Sequence, residues 1–140
     1  MTGAGEMTED ALGDPEEPLF RQVHPTWIQE DRLTSQAFRP TPKDKGQLSV
    51  SRGSMTTAAA AFELHTRGRG LVSAGVWAVQ VADCSALGLP VYPDPLAEPV
   101  DDPAHAVVDF RNVSDKEARA KSQVLRSKAE PVYVRKAGDP

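Results

Sequence analysis

Five side chains that could take part in catalysis lie on predicted strands or directly after one. They are Arg21, His24, Ser49, His105 and Asp109. In a small transferase or nucleotide-handling enzyme, side chains of these types would meet in one cleft. If the protein is an enzyme, these five residues form the predicted catalytic set. The alternative for each histidine is a structural or surface role. Among the three histidines of the chain, His24 is the strongest candidate for a functional role because it directly follows a predicted strand. Functional groups carried by loops are often found at such positions.

A second set of polar side chains lies in the proline-rich segment 24–45. Pro40 and Pro42 favour extended backbone in the residues before them, so this segment is predicted to be a long loop pinned by aromatic residues. Arg39 and Lys43 could bind phosphate or carboxylate there. The alternative is a loop whose polar groups hydrogen-bond to its own backbone. The predicted binding residues are Trp27, Gln36, Arg39 and Lys43.

No metal site is predicted. The chain has three histidines and one cysteine, and no two of them show metal-ligand spacing. Cys84 begins a short turn, where a helix N-terminus could make a thiol reactive, but the adjacent Asp83 raises the thiol pKa. We therefore interpret Cys84 as a small buried residue. No P-loop, GxSxG or HExxH motif occurs, and we expect no cofactor.

The charge of the chain is arranged in blocks. The net charge of 140 residues is −4, with acidic blocks at 1–18 and 83–110 and basic blocks at 19–82 and 111–140. The simpler explanation of these blocks is a set of solvated surfaces with alternating charge. The other explanation is that the two basic blocks share one surface, which would bind an anionic small molecule or an acidic protein. We do not expect nucleic-acid binding, because the chain lacks a dense basic stripe with interleaved aromatics. The oligomeric state stays open.

The chain is predicted to be cytoplasmic and soluble. Its first residues have neither the basic nor the apolar region of a signal peptide. The longest apolar run, residues 72–82, is too short to cross a membrane as a helix.

The pattern of apolar residues predicts an α+β fold. We expect one small mixed sheet of about five short strands, two helices and two long loops. The strands are residues 19–23, 48–51, 73–81, 105–110 and 132–134, the helices are 58–65 and 115–129, and the loops are 24–45 and 89–103. Residues 1–18 are predicted to be a disordered acidic tail, 19–135 a single domain, and 136–140 a disordered C-terminus.

Three runs of sequence resemble a group of short bacterial proteins that are uncharacterised. They are HPTWIQ at 24–29, RLTSQAFRPTPKD at 32–44 and LSV at 48–50, and the likeness continues to residue 110. The resemblance implies no activity. A weaker likeness is to small ADP-ribosyltransferase-like domains, in the order of a basic residue (Arg21 or His24), a serine (Ser49 or Ser51) and an alanine-rich helix. The glutamate of that pattern is missing.

The sequence alone does not assign a function, and two hypotheses stay open. The first is a small binding or accessory module that uses the proline-held basic loop. The second is a small transferase of ADP-ribosyltransferase-like type, or a nucleotide-handling enzyme, with the five candidate catalytic residues in one cleft.

Overall fold

The computed structural model describes residues 10–134, which combine strands and helices as the sequence predicts. The eight strands are β1 (Pro18–Val23), β2 (Ile28–Gln29), β3 (Arg32–Leu33), β4 (Gln47–Arg52), β5 (Gly75–Gln80), β6 (Val91–Pro93), β7 (His105–Asp109) and β8 (Glu130–Val134). The α-helices are α1 (Ala58–Glu63), α2 (Val81–Ser85) and α3 (Asp115–Lys128). None of the helices in the described range is long and apolar enough to cross a membrane.

The main sheet differs from the mixed five-stranded sheet that the sequence predicts. It has six strands in the order β6-β7-β4-β1-β5-β8, and every neighbouring pair is antiparallel. The additional strand, β6, lies at an edge, where proline is tolerated because one side of the strand needs no ladder hydrogen bonds. Its short sequence has no alternation that could distinguish it from the predicted loop 89–103.

The segment 24–45 is not one irregular loop. It contains the two-stranded ladder β2–β3 and three short 3₁₀ turns, at Pro25–Trp27, Ser35–Phe38 and Pro42–Asp44. A third α-helix, α2, also departs from the prediction, because the strand expected to reach residue 81 ends at Gln80. There the backbone N–H of Gln80 donates to Asp83 Oδ2 at 2.8 Å, which caps the new helix.

Each face of the sheet is covered by a different helix. The larger core includes Phe38 from the Ser35–Phe38 turn and Leu125 from α3, both fully buried. On the opposite face Phe62 of α1 packs with Phe20 and Val76 in a smaller cluster. The central strands therefore contribute buried apolar residues to both faces of the sheet, such as Leu19 and Val23 on one side and Phe20 and Val76 on the other.

Residues 10–18 lie against the domain, although the sequence predicts them as part of a disordered tail. The backbone N–H of Leu12 donates to the carbonyl of Val91 at 2.8 Å. Glu17 is buried and contacts Arg52, with Nε and Oε2 2.9 Å apart. Its partner lies 35 residues further along the chain, so composition could not reveal that this carboxylate is stabilised. The remaining predicted tails, 1–9 and 136–140, lie outside the described residues.

The Cys84 thiol is fully buried, and burial together with the Asp83 charge raises its pKa to about 12. Because only the thiolate reacts with disulfide reagents, we expect no reaction of folded protein with Ellman's reagent at mildly alkaline pH. One thiol should react after unfolding in guanidinium chloride, measured by absorbance. Rapid reaction of the folded protein would contradict the buried position.

Candidate functional site

The ladder between β1 and β4 is short, and a cleft lies where it ends. β1 pairs with β5 over six residue pairs. It pairs with β4 over only two, Leu19 with Arg52 and Phe20 with Ser51. Beyond Phe20 the contact is made by a side chain, because Nη1 of Arg21 donates to the backbone carbonyl of Ser49 at 2.9 Å. The middle of the sheet is thus opened between two strands.

Arg21 holds three pieces of the chain together at this opening. Its Nε donates to the carbonyl of Ala37 at 2.6 Å, and its guanidinium lies 5.2 Å from the ring centroid of Trp27. Burial lowers the pKa of Arg21 to about 10, and the charge of Asp44 opposes that shift. The side chain therefore stays positively charged at neutral pH. Two of its N–H groups donate to backbone carbonyls, one of them that of Ser49. Arg21 therefore fixes the position of Ser49 by holding its backbone.

A relay of three residues lies at the cleft, in which Ser49 is hydrogen-bonded to His105, and His105 to the backbone carbonyl of Asp94. The Ser49 hydroxyl lies 3.1 Å from Nε2 of His105. The other ring nitrogen, Nδ1, lies 2.9 Å from the backbone carbonyl and 3.1 Å from Oδ2 of Asp94. Because both neighbours of Nδ1 are acceptors, the proton of the neutral ring belongs on Nδ1. Nε2 is then free to accept the Ser49 proton, as in a Ser-His-Asp triad. Here the backbone carbonyl of Asp94 accepts the hydrogen bond from Nδ1, and the carboxylate lies beside it as a charged neighbour.

Three adjacent strands each supply one member of this relay. Ser49 is in the middle of β4 and His105 is the first residue of β7, paired in register with Ser51. Residues two apart on a strand share a face, so Ser49 and His105 point to the same side. Asp94 directly follows β6, and its backbone N–H donates to the carbonyl of His105 at 2.8 Å. The relay thus rests on sheet hydrogen bonds rather than on a free loop.

The two outer members of the relay, Ser49 and Asp94, are more exposed to solvent than the His105 imidazole between them. The side chain of His105 is 12% exposed and that of Asp94 is 50% exposed. Ser49 is also exposed. A reagent or substrate in solution can therefore reach the hydroxyl, while the imidazole between the two outer groups is held by its neighbours.

The chain after α1 forms the opposite wall of the cleft. Leu64–Gly68 is a π-helical turn, a rare geometry that is frequently found at functional sites. The cleft has a volume of about 70 Å³, and Ala61, Leu64, His65, Arg69 and Asp102 line it together with the strand residues. Arg69 is paired with the buried Asp102 at 3.0 Å. This ion pair attaches the segment after α1 to the loop that leads into β7.

His65 reports the electrostatics of the cleft. Burial lowers its pKa most, and the positive charge of Arg69 lowers it further, against a hydrogen bond with the backbone of Val72. His65 is therefore neutral at physiological pH.

Gln22 presents an unpartnered amide at the same cleft. Its side-chain nitrogen and oxygen are both buried, and neither has a hydrogen-bond partner within residues 10–134. Buried polar groups in native proteins nearly always have a partner. Gln22 is among the residues that line the cleft, and its unpartnered amide is therefore a candidate group for contact with a bound molecule.

The five predicted catalytic residues are only partly brought together. Ser49 and His105 form a hydrogen bond, and Arg21 reaches the backbone of Ser49. His24 is exposed and instead caps the turn Pro25–Trp27, with Nδ1 2.9 Å from the Thr26 hydroxyl. Asp109 lies at the far end of β7, where Oδ1 accepts from Arg111 Nε at 2.9 Å. That contact lowers the Asp109 pKa and engages its carboxylate away from the cleft.

Sequence reasoning missed Asp94 and Gln22. Asp94 was one of several acids in a predicted loop, and only the pairing of β6 with β7 places it beside a histidine. Gln22 was one polar residue in an alternating strand. Neither residue belongs to a recognisable spacing pattern, so no sequence feature would have found them.

Three of the four predicted binding residues line a second, larger depression. Trp27, Gln36 and Arg39 are among the walls of a groove with a volume of about 590 Å³. Lys43 is exposed on the turn Pro42–Asp44 and is not one of the lining residues. The groove is bounded by the 24–45 segment and the start of α3.

No metal centre is found in the described part of the chain, where no three His, Cys, Asp or Glu side chains are grouped to hold an ion. Comparisons of the chain with protein-family models, with curated proteins and with solved structures returned no match.

Proposed function

We propose that this protein is a small serine-dependent acyl-transfer enzyme of the esterase type. Ser49 is the nucleophile, His105 the general base and Asp94 the residue that orients the imidazole. The observation that carries the proposal is the hydrogen bond of 3.1 Å between the exposed Ser49 hydroxyl and His105 Nε2, with the Asp94 backbone carbonyl 2.9 Å and its carboxylate 3.1 Å from Nδ1 of the same ring. This is the geometry from which general-base activation of a serine begins.

The reaction follows from the positions of the donors and acceptors. Ser49 Oγ attacks the ester carbonyl carbon while its proton moves to His105 Nε2. The C–O bond to the leaving alcohol then breaks, and the alcohol takes that proton. Water, deprotonated by the same nitrogen, attacks the carbonyl carbon of the acyl-serine. The bond from that carbon to Ser49 Oγ then breaks, Oγ takes back the proton from His105, and the acid is released. We assign the unpartnered Gln22 amide to the developing oxyanion, because a preorganised donor there lowers the barrier.

The cleft supports a substrate with a short acyl group and an anionic charge. Its volume of about 70 Å³ is well below the range of about 300–1,000 Å³ usual for small-molecule sites, so most of the substrate would lie outside. Arg21 also lines the cleft and forms no ion pair with a carboxylate of residues 10–134, so its positive charge attracts an anion to the entrance. Esters of small acids that carry a carboxylate or phosphate fit both conditions.

The proposal is tested with a fluorophosphonate probe, which reacts with activated serines whatever their natural substrate. Oγ of the serine bonds to phosphorus, fluoride leaves, and the proton passes to the histidine. We expect a single adduct in the intact mass spectrum, located at Ser49 by peptide mapping. Ser49→Ala should remove it, and His105→Gln should slow its formation by about a hundredfold or more, the contribution typical of a general base.

Ser51 provides the matched control. It lies two residues further along β4 on the same face and pairs in register with His105, but it makes no side-chain hydrogen bond to that ring. Ser51→Ala should be labelled at the rate of the unaltered protein. An adduct at Ser51, no adduct at all, or labelling that survives Ser49→Ala would each contradict the proposal.

We do not propose transfer of ADP-ribose, although Arg21 and Ser49 lie on neighbouring strands at the same cleft. That chemistry, as implied by the weaker resemblance, requires a glutamate at the site. No glutamate from the described part of the chain lines the cleft.

A further inference from the structure

A groove separate from the cleft is large enough to hold a small molecule. We call it the loop groove; its walls include Trp27, Gln36, Arg39, Phe110, Val113 and Ala118. Its volume of about 590 Å³ falls within the range of about 300–1,000 Å³ that is usual for ligand sites. Most of these residues are apolar, which is also typical of such sites.

The loop groove is held in shape by local hydrogen bonds. Pro40 and Pro42 restrict the backbone of one wall. Between them Thr41 donates to Asp44 Oδ2 through its backbone N–H at 2.7 Å and its hydroxyl at 2.9 Å. On the other wall, Ser114 caps the start of α3 by accepting from the Glu117 N–H at 3.1 Å. A ligand would therefore meet walls that are already ordered, and little binding energy would be lost in arranging them.

Arg39 is the one basic side chain among the lining residues, and its charge is not neutralised locally. No carboxylate within residues 10–134 forms an ion pair with it. The nearby Asp44 is engaged by Thr41. Asp115 also lines the loop groove, but it lies in the first turn of α3, where the helix dipole offsets part of its negative charge.

We propose that the loop groove binds a small aromatic carboxylate. The aromatic ring packs on the partly buried Trp27 side chain, and the carboxylate accepts hydrogen bonds from the Arg39 guanidinium. Guanidinium matches the geometry of a carboxylate with two parallel donors, and aromatic rings favour contact with other aromatic rings. This inference does not depend on the catalytic role of Ser49.

The test compares 1-naphthoate with 1-naphthylmethanol, which has the same ring system without the charge, by isothermal titration calorimetry. We expect one naphthoate to bind per chain, at least tenfold more tightly than the alcohol. Arg39→Gln should remove this preference. Lys43→Gln is the matched control, because it removes a neighbouring positive charge that does not line the loop groove, and it should change affinity less than twofold.

A second variant blocks the space itself. Ala118→Phe places a ring in the loop groove and should abolish naphthoate binding while the circular dichroism spectrum and the fluorophosphonate reaction of Ser49 stay unchanged. If Ala118→Phe does not fold, the inference is still tested by comparing the affinities of the two ligands and by the Arg39→Gln variant. Absence of naphthoate binding, equal affinity for the two ligands, or equal losses in Arg39→Gln and Lys43→Gln would overturn the inference.

Discussion

Replacing Arg21 by methionine is expected to lower the free energy of unfolding by about 3 kcal/mol, because it leaves two carbonyl groups without their donors. Those carbonyls belong to Ala37 and Ser49. Methionine retains an unbranched stem that can still pack beside Trp27, so the loss isolates the polar contacts. The measurement is urea unfolding monitored by circular dichroism, with fluorophosphonate labelling of Ser49 on the same samples.

Labelling should decline together with stability in this variant. Nη1 of Arg21 holds the backbone of Ser49 at the point where the β1–β4 ladder has ended. Without that contact the hydroxyl is no longer fixed toward His105, and small displacements of a nucleophile reduce reaction rates strongly. We expect labelling at least tenfold slower under conditions where the variant is still folded.

Arg21→Lys is the informative comparison. Lysine keeps the positive charge, but a single ammonium group cannot reproduce the forked contacts to Ala37 and Ser49. Its stability should therefore lie between those of the unaltered protein and Arg21→Met. If Arg21→Met changes the free energy of unfolding by less than about 0.5 kcal/mol, the usual range for exposed positions, the bridging role is wrong.

Local features of the chain were predictable where they depend on near neighbours. The start of α3 follows from Ser114 and Glu117, whose reciprocal hydrogen bonds of 3.1 and 2.9 Å are present. Alternation located β1, and short apolar runs located β4, β5 and β7. These predictions succeeded because capping and alternation involve residues only two or three positions apart.

The sheet order and the relay were not predictable in the same way. Ser49 and His105 are 56 residues apart, and nothing in either strand states that β4 and β7 are neighbours. Both residues entered the candidate set because each lies on a predicted strand, whereas Asp109, on the same strand as His105, proved to bind Arg111. Assigning residues to strands reduces the number of side chains that could be neighbours. Only the order and register of the strands determine which of them are in contact.

The burial of a charged side chain was also not predictable from the sequence. Glu17 belongs to a run of acids that composition assigns to a tail, yet its side chain is only 3% exposed. Its carboxylate accepts from Arg52 Nε at 2.9 Å and from the Ser54 hydroxyl at 2.6 Å. A charge that is paired and hydrogen-bonded in this way can be buried without the penalty that an isolated one carries.

Glu17→Gln is accordingly expected to lower the free energy of unfolding by about 3 kcal/mol at neutral pH, because it leaves the Arg52 guanidinium beside a neutral amide. The expected loss lies at the lower end for such pairs, since the Arg52 side chain is 23% exposed and keeps some contact with water. The matched control is Glu16→Gln. Glu16 is adjacent and exposed, and its replacement should change stability by less than about 0.5 kcal/mol.

The difference between the unaltered protein and Glu17→Gln should also depend on pH. Burial raises the Glu17 pKa, but the hydrogen bonds and charge of Arg52 together with the Ser54 hydroxyl lower it more, so the folded-state pKa lies below the ordinary value of 4.5. The unfolded chain therefore takes up this proton first as pH falls. The stabilisation is fully present above the ordinary pKa and is lost as pH falls through the folded-state value. Urea unfolding of both proteins across this range should show the difference shrinking toward acid pH. A difference that stays constant or grows there would mean that the Glu17 charge is not what stabilises the start of β1.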